Sequence, residues 1–200
     1  LSMAKVKNTP KILGLDVSTK TIGWALFDYA SKELLELTHF SPKLKPIPES
    51  KTEQLLLKSD SFREVVEKYR GVGITKVIIE EPLLNSNNIF TVSILMRYNA
   101  FIMKTIHDVL GVIPELISTY NSRKFAFPDL FVENKKGKKV LFGGYDKGCD
   151  KKQIIWQKVS DQQPHISWSY TRNNTLKKEN FDMTDAYACV LGYMKKNELW

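Results

Sequence analysis

Apolar and polar positions follow two rhythms along this chain, and the changes of rhythm mark its elements. Lys11–Val17 is apolar on both sides, the pattern of a strand buried on two faces. Thr21–Asp28 alternates Ile22, Trp24 and Leu26 against Gly23, Ala25 and Phe27. Leu34–Phe40 follows across the turn Tyr29–Lys32, so the three segments predict an antiparallel meander. Pro42, Pro46 and Pro48 mark a loop. Leu55, Leu56, Phe62, Val65 and Val66 then recur at helical spacing, predicting a helix over Ser50–Arg70 that stops at Gly71 and Gly73. Lys76–Glu80 is a short apolar strand. A helix followed by a buried strand implies a crossover, hence parallel pairing beside the first strand.

A long helix is predicted from Asn88 to Gly111. Its polar stripe (Ser93, Arg97, Ala100, Lys104, His107) is narrow. Its apolar surface, from Ile89 and Val92 to Val109 and Leu110, is wider than one core contact requires. Two readings are open: a helix sandwiched within its own domain, or one that packs a side on a partner subunit. Pro114–Tyr120 reads as a strand and Asn121–Phe127 as a brief helix. Phe131–Phe142 reads as a β-hairpin with a lysine-studded tip. Helices are expected at Asp150–Val159 and Phe181–Lys196, separated by irregular chain. Together these segments predict an α/β fold: a mixed five-stranded sheet flanked by helices, with a basic hairpin inserted at about 129–148. Residues 10–196 are read as one domain. Residues 1–9 are read as a flexible tail, with Leu1-Ser2 ahead of Met3 a cloning remnant.

Composition narrows the function. The chain has 200 residues, 42% of them hydrophobic and 22 aromatic, enough for a real core. No apolar run approaches a membrane span, so a soluble, cytoplasmic protein is expected. Two cysteines, Cys149 and Cys189, are too few for a disulfide framework and suit a reducing compartment. The net charge of +8 points to an anionic partner, nucleic acid first. Seven lysines fall between Lys135 and Lys152, which concentrates that charge on the hairpin and the helix after it.

Acids stand at the ends of three elements: Asp16, Glu80, and the pair Asp182 and Asp185. Alone, Asp16 could equally cap its turn, and Asp182 could cap its helix. The i, i+3 spacing puts Asp182 and Asp185 on one helix face, with small residues Ala186, Ala188 and Cys189 beside them. Parallel strands would set Asp16 beside Glu80. Carboxylates that close do not all stay ionised without a cation, and a cluster lacking His or Cys suits Mg²⁺ or Mn²⁺. Basic surface plus acid cluster is what a metal-dependent nuclease needs.

Three motifs in order resemble the RuvC-type Holliday junction resolvases of the RNase H-like superfamily. They are Ile12-Leu-Gly-Leu-Asp16-Val-Ser-Thr-Lys-Thr-Ile-Gly23-Trp24, Val77-Ile-Ile-Glu80-Glu81, and Asp182-Met-Thr-Asp185-Ala-Tyr-Ala188. The resemblance spans about Lys11 to Met194. It implies a homodimeric endonuclease that cuts branched DNA, with two Mg²⁺ or Mn²⁺ ions per site. Asp16 would bridge both ions, and Glu80, Asp182 and Asp185 would complete the set. Glu81, next to Glu80, must face the other way, and Glu80 is preferred because its place after the apolar run matches the motif.

The resemblance also places a junction-inserting apolar residue after Glu80. Leu83 and Leu84 hold that place, though the family often has an aromatic there, and the two could equally be core leucines that anchor the loop. The lysine-tipped hairpin is a departure, longer than the family's usual segment there: Lys135, Lys136, Lys138 and Lys139 would contact DNA backbone, or else guard a hairpin edge. Lys147, Lys151 and Lys152 fall where the family carries basic residues near the scissile phosphate, or else are exposed helix lysines, with Arg123 and Lys124 as weaker candidates. His39, His107 and His165 carry no such signal. Trp156, Trp168 and Tyr170 read as core before base-stacking. Other functions stay in view: a ribonuclease for structured RNA, a less selective branched-DNA nuclease, or an inactive DNA-binding protein. A sugar-kinase-like phosphate turn is disfavoured because no second glycine-rich motif exists.

Overall fold

A computed structural model describes residues 9–82 and 88–200. Strands β1 (Lys11–Val17), β2 (Ile22–Asp28) and β3 (Leu34–Phe40) form the expected antiparallel meander. Helix α1 (Lys51–Glu67) begins where the Ser50 side chain accepts the Glu53 N–H at 3.3 Å. It crosses over to β4 (Ile74–Glu80), which lies parallel to β1 with Ile79 opposite Leu15. β4 starts two residues before the predicted Lys76, because the chain already pairs with β1 at Ile74. Helix α2 (Ile89–Leu110) leads to β5 (Glu115–Ile117), a three-residue edge strand parallel to β4. The order across the sheet is β3-β2-β1-β4-β5. Helix α3 (Thr119–Ala126), the hairpin β6 (Phe131–Glu133) and β7 (Lys139–Leu141), and helices α4 (Lys151–Gln162) and α5 (Glu179–Lys196) complete the chain.

Strand alternation divides the core in two. Leu13, Leu15, Val17, Trp24, Val77 and Ile79 face α1 and α2. Ile12, Ala25, Phe27 and Ile78 face α3, α4 and α5. Because side chains alternate, Gly14 and Asp16 of β1, Gly23 of β2 and Glu80 of β4 all belong to the second face.

By length and composition α2 could cross a membrane, contrary to the expectation from the sequence. In the fold it packs on α1 and the sheet through Tyr98, Ile102, Ile106 and Val109. Its buried Thr105 also shares a hydrogen bond with Ser59 of α1 at 3.2 Å. The helix is thus part of the core on one side. Ile89, Phe90 and Met96 remain exposed on the other.

Candidate active site

The end of β1 sets the geometry. Ser18 closes the turn after it, donating to the Thr21 carbonyl at 2.8 Å and accepting the Thr21 N–H at 3.0 Å. Asp16 is therefore not needed as the turn cap. Its cross-strand partner is Gly23. A Cβ on Gly23 would lie 2.0 Å from the Asp182 carbonyl oxygen, and one on Gly14 would lie 2.3 Å from that of Ala186. The two glycines thus let the backbone of α5 rest directly on β1 and β2, with its first turn beside Asp16. Lys178 sits at the α5 cap position without a side-chain hydrogen bond, so Asp182 belongs to the first turn and is not the cap.

Four carboxylates meet at this end of the sheet. Burial pushes Asp16 well above the ordinary carboxylate range, and the charges of Glu80, Asp185 and Asp182 push it further. Burial and then Asp185 raise Glu80 to about 7. Burial also raises Asp182 to about 6 against the opposing pull of Lys152. Asp185 is buried and pairs with Arg123 of α3 at 3.0 Å. Glu80 accepts a hydrogen bond from Thr119 of α3 at 2.9 Å through Oε1, while its Oε2 is buried without a partner. Glu81 lies past the strand end, exposed.

The residue types fit a hard divalent cation: oxygen donors only, mutually repelling, with one buried oxygen unclaimed. As they stand, no three acidic, histidine or cysteine side chains among the described residues form a group able to hold a metal ion. Arg123 and Thr119 engage Asp185 and Glu80 instead.

The basic residues separate into distinct settings. Lys152, in the first turn of α4, is exposed and its charge acts on Asp16, Glu80 and Asp182. Lys151 lies over the Phe142 ring at 5.7 Å. It lines one cleft with Leu141 of the hairpin and with Thr119 and Arg123, which sets the hairpin base beside the acids. Lys136, Lys138, Lys139 and Lys147 are exposed, as is Lys135, which pairs with Asp146 at 2.7 Å. Two of the weaker candidates have other partners. Arg123 is tied into the acid cluster, and Lys124 lies against aromatic rings, 4.8 Å from that of Phe131. Trp156 and Trp168 pack edge to face on each other. Leu83 and Leu84 lie outside the described residues.

Sequence reasoning missed Thr119 and Lys20. Thr119 follows the β5 residue Ile117, which pairs with Glu80. That register puts it at the acid end of the sheet, but a three-residue strand has no register readable from pattern alone. Lys20 lines a cleft of roughly 600 Å³ with Ser18, Lys152, Lys178 and Asp182.

No family model and no curated protein matches the sequence. Solved structures do match in shape. RuvC of Thermus thermophilus in complex with a Holliday junction substrate superposes with a TM-score of 0.61 at 10% identity, covering 95% of this chain and 96% of that one. A second Thermus thermophilus RuvC structure gives 0.56 at 12% identity, covering 94% and 96%. The fold is RNase H-like. At this identity the likeness is one of architecture, over nearly the whole of both chains.

Proposed function

We propose that this protein is a metal-dependent endonuclease that cuts branched DNA, four-way junctions above all, as a homodimer. The observation that carries the reading is the meeting of Asp16, Glu80, Asp182 and Asp185 at one end of an RNase H-like sheet, with Lys152 facing them. Those four acids would hold Mg²⁺ or Mn²⁺, two ions per site, with Asp16 central. Bound divalent ions supply Lewis acidity that activates the attacking water and stabilises charge on the leaving oxygen. The chain's own part is placement. Asp16 stands on a strand buried on both faces, and α5 is pressed onto that strand through Gly14 and Gly23. Lys152 and Lys151, at the start of α4, would receive the phosphate being cut, and the exposed lysines of the hairpin would follow the backbone beyond it. The whole-length likeness to a RuvC bound to a Holliday junction supports the choice of substrate. The exposed Ile89, Phe90 and Met96 on α2 support a subunit contact, since a two-fold dimer matches a two-fold junction.

The test is cleavage of a four-way junction, a linear duplex and a structured RNA, each with Mg²⁺ and with EDTA. The expected result is symmetric junction nicks that vanish in EDTA and in Asp16→Asn, while the variant still binds the junction. RNA cleavage with intact junctions would reverse the choice of substrate, and loss of binding in Asp16→Asn would make that residue structural.

A further inference from the structure

Helix α3 adds two side chains to the acid cluster, four residues apart and so stacked on one face. Thr119 donates to Glu80 Oε1 at 2.9 Å, and Arg123 Nη2 donates to Asp185 Oδ1 at 3.0 Å. Each acid thereby has one oxygen engaged by α3. The second oxygen of Glu80 is buried and unpartnered. The Arg123–Asp185 pair is itself nearly dry, with side chains 11% and 5% exposed. The two donors differ in kind. Threonine is neutral and fixes the direction of one acid. Arginine brings a full positive charge to a place where four carboxylates crowd together and where a cation would otherwise have to sit.

We propose that Arg123 is a resident counter-cation: without metal it takes an oxygen of Asp185 and balances the cluster, and it competes with divalent ions for that charge and that oxygen. Thr119 is a positioning residue that holds Glu80 without opposing the metal. The inference rests on reading the acids as metal ligands. It accounts for the engagement of Asp185 Oδ1 by Arg123 in a cluster where, among the described residues, no three acidic, histidine or cysteine side chains are grouped to hold a metal ion. It also predicts opposite signs for two neighbours on one helix face. Loss of an orienting hydrogen bond weakens metal binding, by ~10-fold at the low end of the usual range. Loss of a full charge in contact with a ligand strengthens cation binding, and in a poorly solvated site that electrostatic effect exceeds the orientational one.

The experiment measures Mn²⁺ affinity by calorimetry, and melting temperature in EDTA and in Mn²⁺, for the wild type and for Arg123→Met, Arg123→Gln, Arg123→Lys and Thr119→Val. Arg123→Met and Arg123→Gln are expected to melt lower in EDTA. They should bind Mn²⁺ at least ~10-fold tighter and gain more from it than the wild type does. Arg123→Lys should stay near the wild type, and Thr119→Val should bind ~10-fold more weakly. The glutamine variant keeps a hydrogen-bonding side chain, so the test survives if the methionine variant does not fold. Unchanged or weaker Mn²⁺ binding in the neutral Arg123 variants overturns the counter-cation role. A wild type that binds Mn²⁺ no better than Asp16→Asn removes the metal reading, and this proposal with it.

Discussion

Glu80 combines two demands that conflict. It must be close to other acids to take part in the site, and that closeness makes its charge costly. Burial and the Asp185 charge raise it to about 7 from an ordinary value of 4.5. The sign follows from the direction. Since the folded state binds this proton more tightly than the unfolded chain, its contribution to stability is intact below about 4.5 and is lost as pH rises through about 7. In metal-free protein at pH 8, Glu80→Gln should therefore raise stability by on the order of 2 kcal/mol, or roughly 4–8 °C in melting temperature. At pH 4 the gain should disappear, because both side chains are then neutral. Thermal melts in EDTA at the two pH values decide it, and an equal shift at both would mean that the buried charge of Glu80 is not the cause. Gly14 and Gly23 show a second residue-scale demand. Their missing side chains let α5 bring Asp182 and Asp185 to the sheet.

Among the elements, α5 and α3 matter most to the site. α5 packs on β1, β2 and β4 and carries two of the acids. α3 packs closely on α5, so closely that a Cβ on Gly192 would lie 2.3 Å from the Ser122 carbonyl oxygen. Ser122 sits between Thr119 and Arg123, and this contact therefore sets their reach to Glu80 and Asp185. Gly192→Ala should push α3 outward and cost about 1–3 kcal/mol by overpacking. It should also shift Mn²⁺ affinity although no acid has changed. Urea unfolding and calorimetry measure the two effects, and a destabilised variant with wild-type Mn²⁺ affinity would show that α3 does not position the acids. The element pattern itself was largely legible in the sequence. The meander, the crossover and the helices fall within a few residues of the boundaries their periodicity predicts. Shifts occur where pairing or capping decides: β4 starts early through β1, and α3 starts early because Ser118 caps it by accepting the Asn121 N–H at 3.2 Å.

At the scale of the whole molecule, the exposed apolar side of α2 bears on assembly. The proposed homodimer places the exposed apolar side of α2 in the contact, where Ile89 is 84% and Phe90 70% exposed. Met96 lies two turns on from Ile89 along the same helix and is also exposed. Met96→Glu should leave the fold intact, since the side chain already meets water, and should weaken association by ~10-fold or more through a buried charge. Sedimentation over a concentration series tests this. A wild type that stays monomeric throughout removes the paired-nick mechanism, and a variant that dimerises normally moves the contact elsewhere.

The sequence by itself determined the order of elements, the strand faces and which acids stand at the element ends. Those rest on local periodicity and on where apolar runs give out, both written residue by residue. It could not determine what each acid touches. Arg123 looked like one more candidate for a phosphate, and Thr119 carried no signal. Only the pairing of β5 with β4 and the packing of α3 on α5 bring them to Asp185 and Glu80. Contacts between residues 39 and 62 positions apart depend on register and helix approach, which only the assembled fold supplies.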